Sequence, residues 1–188
     1  MQILGLSPST PRTENRLKML FWPSVQSSSD VEVITQQGFW VCMIVAGMTL
    51  AFSLLQGMYI AGTLEFVFFF MGGIGVRCRS RFAATAVFLL YFLSTLALFG
   101  ALLHPLGIVR VVFLALLLAN VRATWLSARL PLAASQSAAV PNRTFWEKFS
   151  DRFPALVWPE LRWVFYIFSV PWLALNLFGL IMILRRRG

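Results

Sequence analysis

The chain has 188 residues, of which 59% are hydrophobic and 12% charged, against roughly 25% charged in a soluble domain. That leaves no room for a sizeable water-soluble domain beside the apolar stretches. The net charge of +9 would suggest nucleic acid in a soluble protein. Here the basic residues fall between apolar runs, so the positive-inside rule accounts for them and no nucleic-acid partner is expected.

Residues 1–37 read as an N-terminal cytoplasmic tail and residues 38–188 as one membrane domain. Met1 to Thr13 is rich in Ser, Pro and Thr and reads as disordered or as a tether. Met1 to Glu14 has no apolar core of a signal peptide, so the first span is expected to serve as its own insertion signal. Leu17, Leu20 and Phe21 lie on one helical face beside Arg16 and Lys18. Arg16 to Trp22 is therefore predicted to be a short interfacial helix, ended by Pro23. Ser29-Asp30-Val31-Glu32 is a capping-box pattern and predicts a helix start.

The first predicted span is Phe39 to Ala61, about 23 residues or roughly 34 Å of helix, enough for a ~30 Å core. Thr49, Ser53, Gly57 and Ala61 form a small-residue stripe along it, and Gly62-Thr63 is the predicted turn. The second apolar stretch, Leu64 to Val76, is only about 13 residues, or roughly 20 Å. It reads as a short span or a re-entrant segment. Arg77-Cys78-Arg79-Ser80-Arg81 is a basic stop after it.

Phe82 to Leu103 is a third predicted span, joined tightly through His104-Pro105 to a fourth, Leu106 to Leu126. Ala115, Ala119 and Ala123 give the fourth its own small stripe. The loop 127–162 opens with a small, polar linker. Its capping box at Thr144 to Glu147 starts a second predicted interfacial helix, Thr144 to Phe153. Pro154 and Pro159 are expected to break the helix beyond Phe153. Trp158, Trp163 and Tyr166 read as an interface belt before the last span, Val164 to Leu184, which contains Pro171 and ends at Arg185 to Arg187.

The expected fold is thus all-α: a multi-pass helical bundle of about five transmembrane segments plus short interfacial helices. With the N-terminus in the cytoplasm, the inner connections carry nearly all the loop arginines and lysines, while those near Gly62 and His104 carry none. This charge bias supports the short second crossing. It leaves the C-terminal arginines outside, unless Pro171 bends the last segment into a hairpin. The expected location is an integral membrane, a bacterial inner (plasma) membrane.

Two groups of residues require a reason. Glu65, Arg110, Asn120 and Arg122 are polar within apolar segments. Arg110 and Arg122 lie roughly 18 Å apart along one helix, so the bland reading is that they snorkel in opposite directions. The sharper one pairs Glu65 with Arg110 across two helices. Gly72, Gly73 and Gly75, followed by Arg77, Arg79 and Arg81, form the second group. Helix packing explains them most simply; contact with a lipid headgroup or another anion is the alternative.

The sequence carries no nucleotide motif and no metal-ligand spacing, and its acids pair with neither His104 nor a cysteine at a spacing that suggests catalysis. His104, the single histidine, is a weak candidate for an axial metal ligand and reads as a loop residue, so no cofactor is predicted. Cys42 and Cys78 read as free thiols, and Asn142-Arg143-Thr144 as a chance glycosylation match on the inner side. The expected partners are membrane lipids and a protein partner or second copy within the membrane. The expected role is a non-catalytic structural or organising subunit; a small transporter or channel near Glu65 and Arg110, or a lipid-binding protein, are the alternatives.

Overall fold

The computed structural model describes residues 28–97, 105–127 and 145–187. The tether, the helix at Arg16 to Trp22, His104, the linker 128–143 and the sequon at Asn142 lie outside the described residues. Those that are described form five α-helices and no strand: α1 (Ser28–Leu55), α2 (Tyr59–Arg77), α3 (Arg81–Ala97), α4 (Pro105–Ser127) and α5 (Phe145–Arg187). Four of them contain stretches long and apolar enough to cross a bilayer; α3, at 17 described residues, is the shorter fifth. The protein is an all-α membrane bundle.

The α1–α2 connection differs from the predicted one. The turn is at Gln56 to Met58, not at Gly62-Thr63. Gly57 adopts φ 72°, the left-handed conformation that suits a residue without Cβ. The Met58 N–H donates to Ser53 O at 2.9 Å and the Gly57 N–H to Leu54 O at 3.2 Å, the paired bonds that close a helix at such a residue. Gly62 instead lies buried inside α2, with its Cα against the Ser53 side chain. The absent side chain there serves close approach of α1 and α2. The shift has two consequences. It breaks the stripe Thr49, Ser53, Gly57, Ala61 at its third member. It also lengthens the second segment to 19 residues, about 28 Å of helix, so α2 meets the length requirement that Leu64 to Val76 failed.

The α2–α3 turn has the same bond pattern, with Arg79 (φ 58°) in the glycine position. The Ser80 N–H donates to Gly75 O at 2.9 Å and the Arg79 N–H to Val76 O at 3.0 Å. The Ser80 hydroxyl then accepts from the Ala83 N–H at 3.3 Å, capping α3.

The second interfacial helix and the last span are one continuous helix. α5 runs for 43 residues through Pro154, Pro159 and Pro171. A proline removes one helical donor, and a packed membrane helix tolerates that loss. The continuity excludes a hairpin at Pro171. At about 65 Å, α5 is roughly twice as long as the hydrocarbon core is thick, so it projects beyond the bundle.

The core is concentrated toward one end. Val41, Cys42, Phe68, Val76, Ala83, Val87, Leu117 and Phe165 belong to one buried cluster. Each glycine of the Gly72 group faces a different neighbour: Gly72 meets Val87, Gly73 meets Cys42 and Met43, and Gly75 meets Trp158 and Ala83. Three helices thus approach α2 closely within one turn. Trp158 and Tyr166 pack inward here, Tyr166 edge-on to Phe82 at 4.6 Å, whereas Trp163 remains exposed.

Candidate functional site

Polar residues gather at both ends of the bundle, in opposite ways. At the first end, the start of α1 meets the ends of α2 and α4. The Arg77 guanidinium, with a side chain only 8% exposed, lies 3.7 Å from the Glu32 carboxylate. It also donates to the Glu32 carbonyl at 3.0 Å and to the Thr35 hydroxyl at 3.2 Å. Asn120, 1% exposed, donates from Nδ2 to Ile34 O at 2.9 Å. It reaches the α1 backbone because Gly38 presents no side chain; a Cβ there would run into the Asn120 amide. Thr124 donates to Asn120 O at 2.8 Å. These bonds join three helices inside an apolar surrounding, where an unmade bond is costly.

Around this end Arg79, Arg81 and Arg162 face outward. Arg79 and Arg81 are exposed, and the Arg81 guanidinium lies over the Trp125 ring, 5.4 Å from its centroid. Trp125 Nε1 donates to the Thr85 hydroxyl at 3.3 Å, and Arg162 lies over Trp163 at 5.5 Å. The run Arg77 to Arg81 is thus divided: Arg77 turns inward as a lock, while Arg79 and Arg81 stay at the surface, Arg81 over Trp125. Cys78, just past α2, has its thiol pushed up to about 11 by burial, against the opposing charge of Arg77. Such a thiol is poorly nucleophilic at neutral pH.

The opposite end holds Glu65 on α2 and Arg110 on α4. Arg110 acts electrostatically on Glu65 and on Tyr91, but no direct ion pair joins Glu65 to Arg110 among the described residues. Arg122 lies twelve residues further along α4, half-buried, toward the Arg77 end. Glu65 lines an open groove of ≈ 320 Å³ between α2, α3 and α5, together with Ser94, Trp172 and Asn176. The Trp172 Nε1 is buried there without a hydrogen-bond partner among the described residues. Among the described residues no cluster of His, Cys, Asp or Glu is suited to hold a metal.

The Arg77 lock was missed in the sequence because of the turn. A hairpin folded at Gly62 sets Arg77 opposite the middle of α1, whereas one folded at Gly57 moves it about ten residues toward Glu32 and Thr35. The signal was present in Gly57 itself, read there as a packing residue.

Comparison with protein-family models, curated proteins and solved structures finds no match.

Proposed function

We propose that the chain is a non-catalytic integral membrane protein, a structural or organising subunit that packs against a partner helix within the bilayer. The observation that carries this reading is an uncovered small-residue notch on α1. Gly47 and Ala51, one turn apart, are both exposed, and a Cβ on Gly47 would meet nothing within 4 Å. Ile44, Met48, Phe52 and Leu55 flank them, all exposed. Glycine and alanine four residues apart let two membrane helices approach to backbone contact. The alanines of α4 are spent differently, since Ala119 and Ala123 are buried within the chain. The far half of α5 adds to the uncovered surface, because only 11% of its apolar window is buried, against 50% for α2.

The proposed setting is a bacterial inner membrane with the N-terminus in the cytoplasm. Its support is the gathering of Arg77, Arg79, Arg81, Arg122 and Arg162 toward the Glu32 end, in keeping with the positive-inside rule.

Purification in mild detergent tests the reading. A stoichiometric partner or a second copy is expected to co-purify, and Gly47→Leu to release it. Leucine fits the open space in the lone chain, so loss of the partner would not reflect misfolding. A monomer that co-purifies with nothing, or a complex indifferent to Gly47→Leu, would refute it. A second reading, a small transporter or channel, rests on the Glu65 groove. Solute flux in proteoliposomes, abolished by Glu65→Gln, would favour it.

A further inference from the structure

Two turns of the bundle are closed by the same pair of backbone bonds, yet only one of them uses a glycine. Gly57 holds φ 72° between α1 and α2, and Arg79 holds φ 58° between α2 and α3. A residue with a Cβ is strained in that conformation, so an arginine weakens the turn relative to glycine. The Arg79 side chain is exposed and forms no ion pair among the described residues. Nothing within the bundle offsets the strain, which points to a role for the side chain outside it.

Two further exposed arginines flank this turn. Arg81 begins α3, and its guanidinium lies over Trp125 of α4. Arg162 lies over Trp163 on α5, four residues from both Trp158 and Tyr166 and so on their face of the helix. Trp158 meets Gly75, and the Tyr166 hydroxyl lies 3.4 Å from the Ser80 hydroxyl, which turns that face toward the α2–α3 connection. A guanidinium stacked on an indole keeps its N–H edge free, and that edge matches a pair of phosphate oxygens. Trp125 and Trp163 are both exposed, and exposed tryptophans favour the headgroup level of a bilayer. Beyond the arginines, Phe82 and Leu89 on α3 and Ile167 and Val170 on α5 offer exposed apolar surface to acyl chains. The nearby acids do not neutralise the group: Glu32 is held by Arg77, and Glu160 precedes Arg162 by two residues, about 200° away around α5.

We infer that the α2–α3 turn is a site for an anionic phospholipid, its headgroup held by Arg79 with Arg81 and Arg162 to either side. The inference is independent of the partner-helix reading, since the Gly47 notch lies on α1 and either proposal can fail alone.

The test is native mass spectrometry of the intact protein released from nanodiscs. These contain equal phosphatidylglycerol and phosphatidylcholine of matched chains. Both lipids carry the phosphate, and choline cancels its charge, so the comparison reads net charge. The wild type is expected to retain phosphatidylglycerol in preference, on the order of tenfold, the scale of a charge-assisted hydrogen bond. Arg79→Gly should lose most of that preference, yet unfold in SDS no more easily than the wild type, because glycine suits the turn. Arg81→Gln combined with Arg162→Gln should lower the preference too. Arg185→Gln combined with Arg186→Gln, which neutralises two exposed arginines at the far end of α5, should leave it intact. Equal retention of both lipids by the wild type, a preference that survives Arg79→Gly, or an equal loss from the far-end pair would overturn the inference. So would an Arg79→Gly protein that unfolds more easily than the wild type, since the arginine would then serve the fold. Displacement of the lipid by inorganic phosphate alone would also overturn it, by placing the affinity in a free anion.

Discussion

The two ends of the bundle use polar residues for opposite purposes. At the Glu32 end, Arg77, Thr35, Asn120 and Thr124 are bonded to each other or to α1 backbone, and the glycines of α2 draw α1, α3 and α5 close. At the Glu65 end the helices separate into a groove, where the Glu65 carboxylate and the Trp172 Nε1 have no hydrogen-bond partner among the described residues. Chemistry alone does not separate them, because each end has at least one acid and at least one arginine. The difference is whether small residues let the partner reach. Gly38 admits Asn120 to the α1 backbone, and nothing equivalent brings Arg110 onto Glu65.

If the first end holds the fold, enlarging Gly38 should have the largest effect. Gly38→Leu sets a side chain where the Asn120 amide sits, combining overpacking with a lost hydrogen bond, and should cost about 3 kcal/mol or more. Unfolding in SDS from mixed micelles would measure it. Arg77→Leu should come next, at about 2 kcal/mol. It leaves the Thr35 hydroxyl and the Glu32 carboxylate without this partner, though Glu32 is 33% exposed and water relieves part of the loss. Gly57→Ala sharpens the account of the turn. It forces a Cβ into a left-handed conformation and should cost about 1 kcal/mol in the same assay.

The smallest effect is a chemical one at Cys78. Its thiol titrates at about 11 rather than 9.0, so the thiolate fraction at pH 8 falls on the order of a hundredfold below that of an ordinary thiol. Alkylation should be slow at neutral pH and accelerate up to about pH 11. Rapid labelling at pH 7 would show that the Gly72 to Ser80 region is more open than described.

These features were unequally legible in the sequence. Apolar length and arginine placement were enough for an all-α membrane bundle, because both respond directly to the bilayer. The turn was not, since Gly57 and Gly62 both fit a turn or a packing contact, and only tertiary contact with Ser53 decides between them. Prolines 154 and 159 misled for a related reason: the local cost of a missing N–H is outweighed by packing, as where Trp158 covers Gly75. Glu65 and Arg110 read in the sequence as residues requiring explanation; they are linked by charge but not by a direct ion pair among the described residues. Asn120 was recognised as costly, but its partner is a backbone carbonyl that no side-chain pattern reveals.

The division between a locked end and an open end is tested most directly by two near-isosteric variants measured side by side. Asn120→Leu removes the bond to Ile34 O, and Glu65→Gln removes a charge that makes no ion pair or hydrogen bond among the described residues, though Arg110 acts on it at a distance. In SDS unfolding, Asn120→Leu should lose about 1 kcal/mol, while Glu65→Gln should unfold at the wild-type midpoint. Equal losses from the two variants, or a larger loss from Glu65→Gln, would contradict the account.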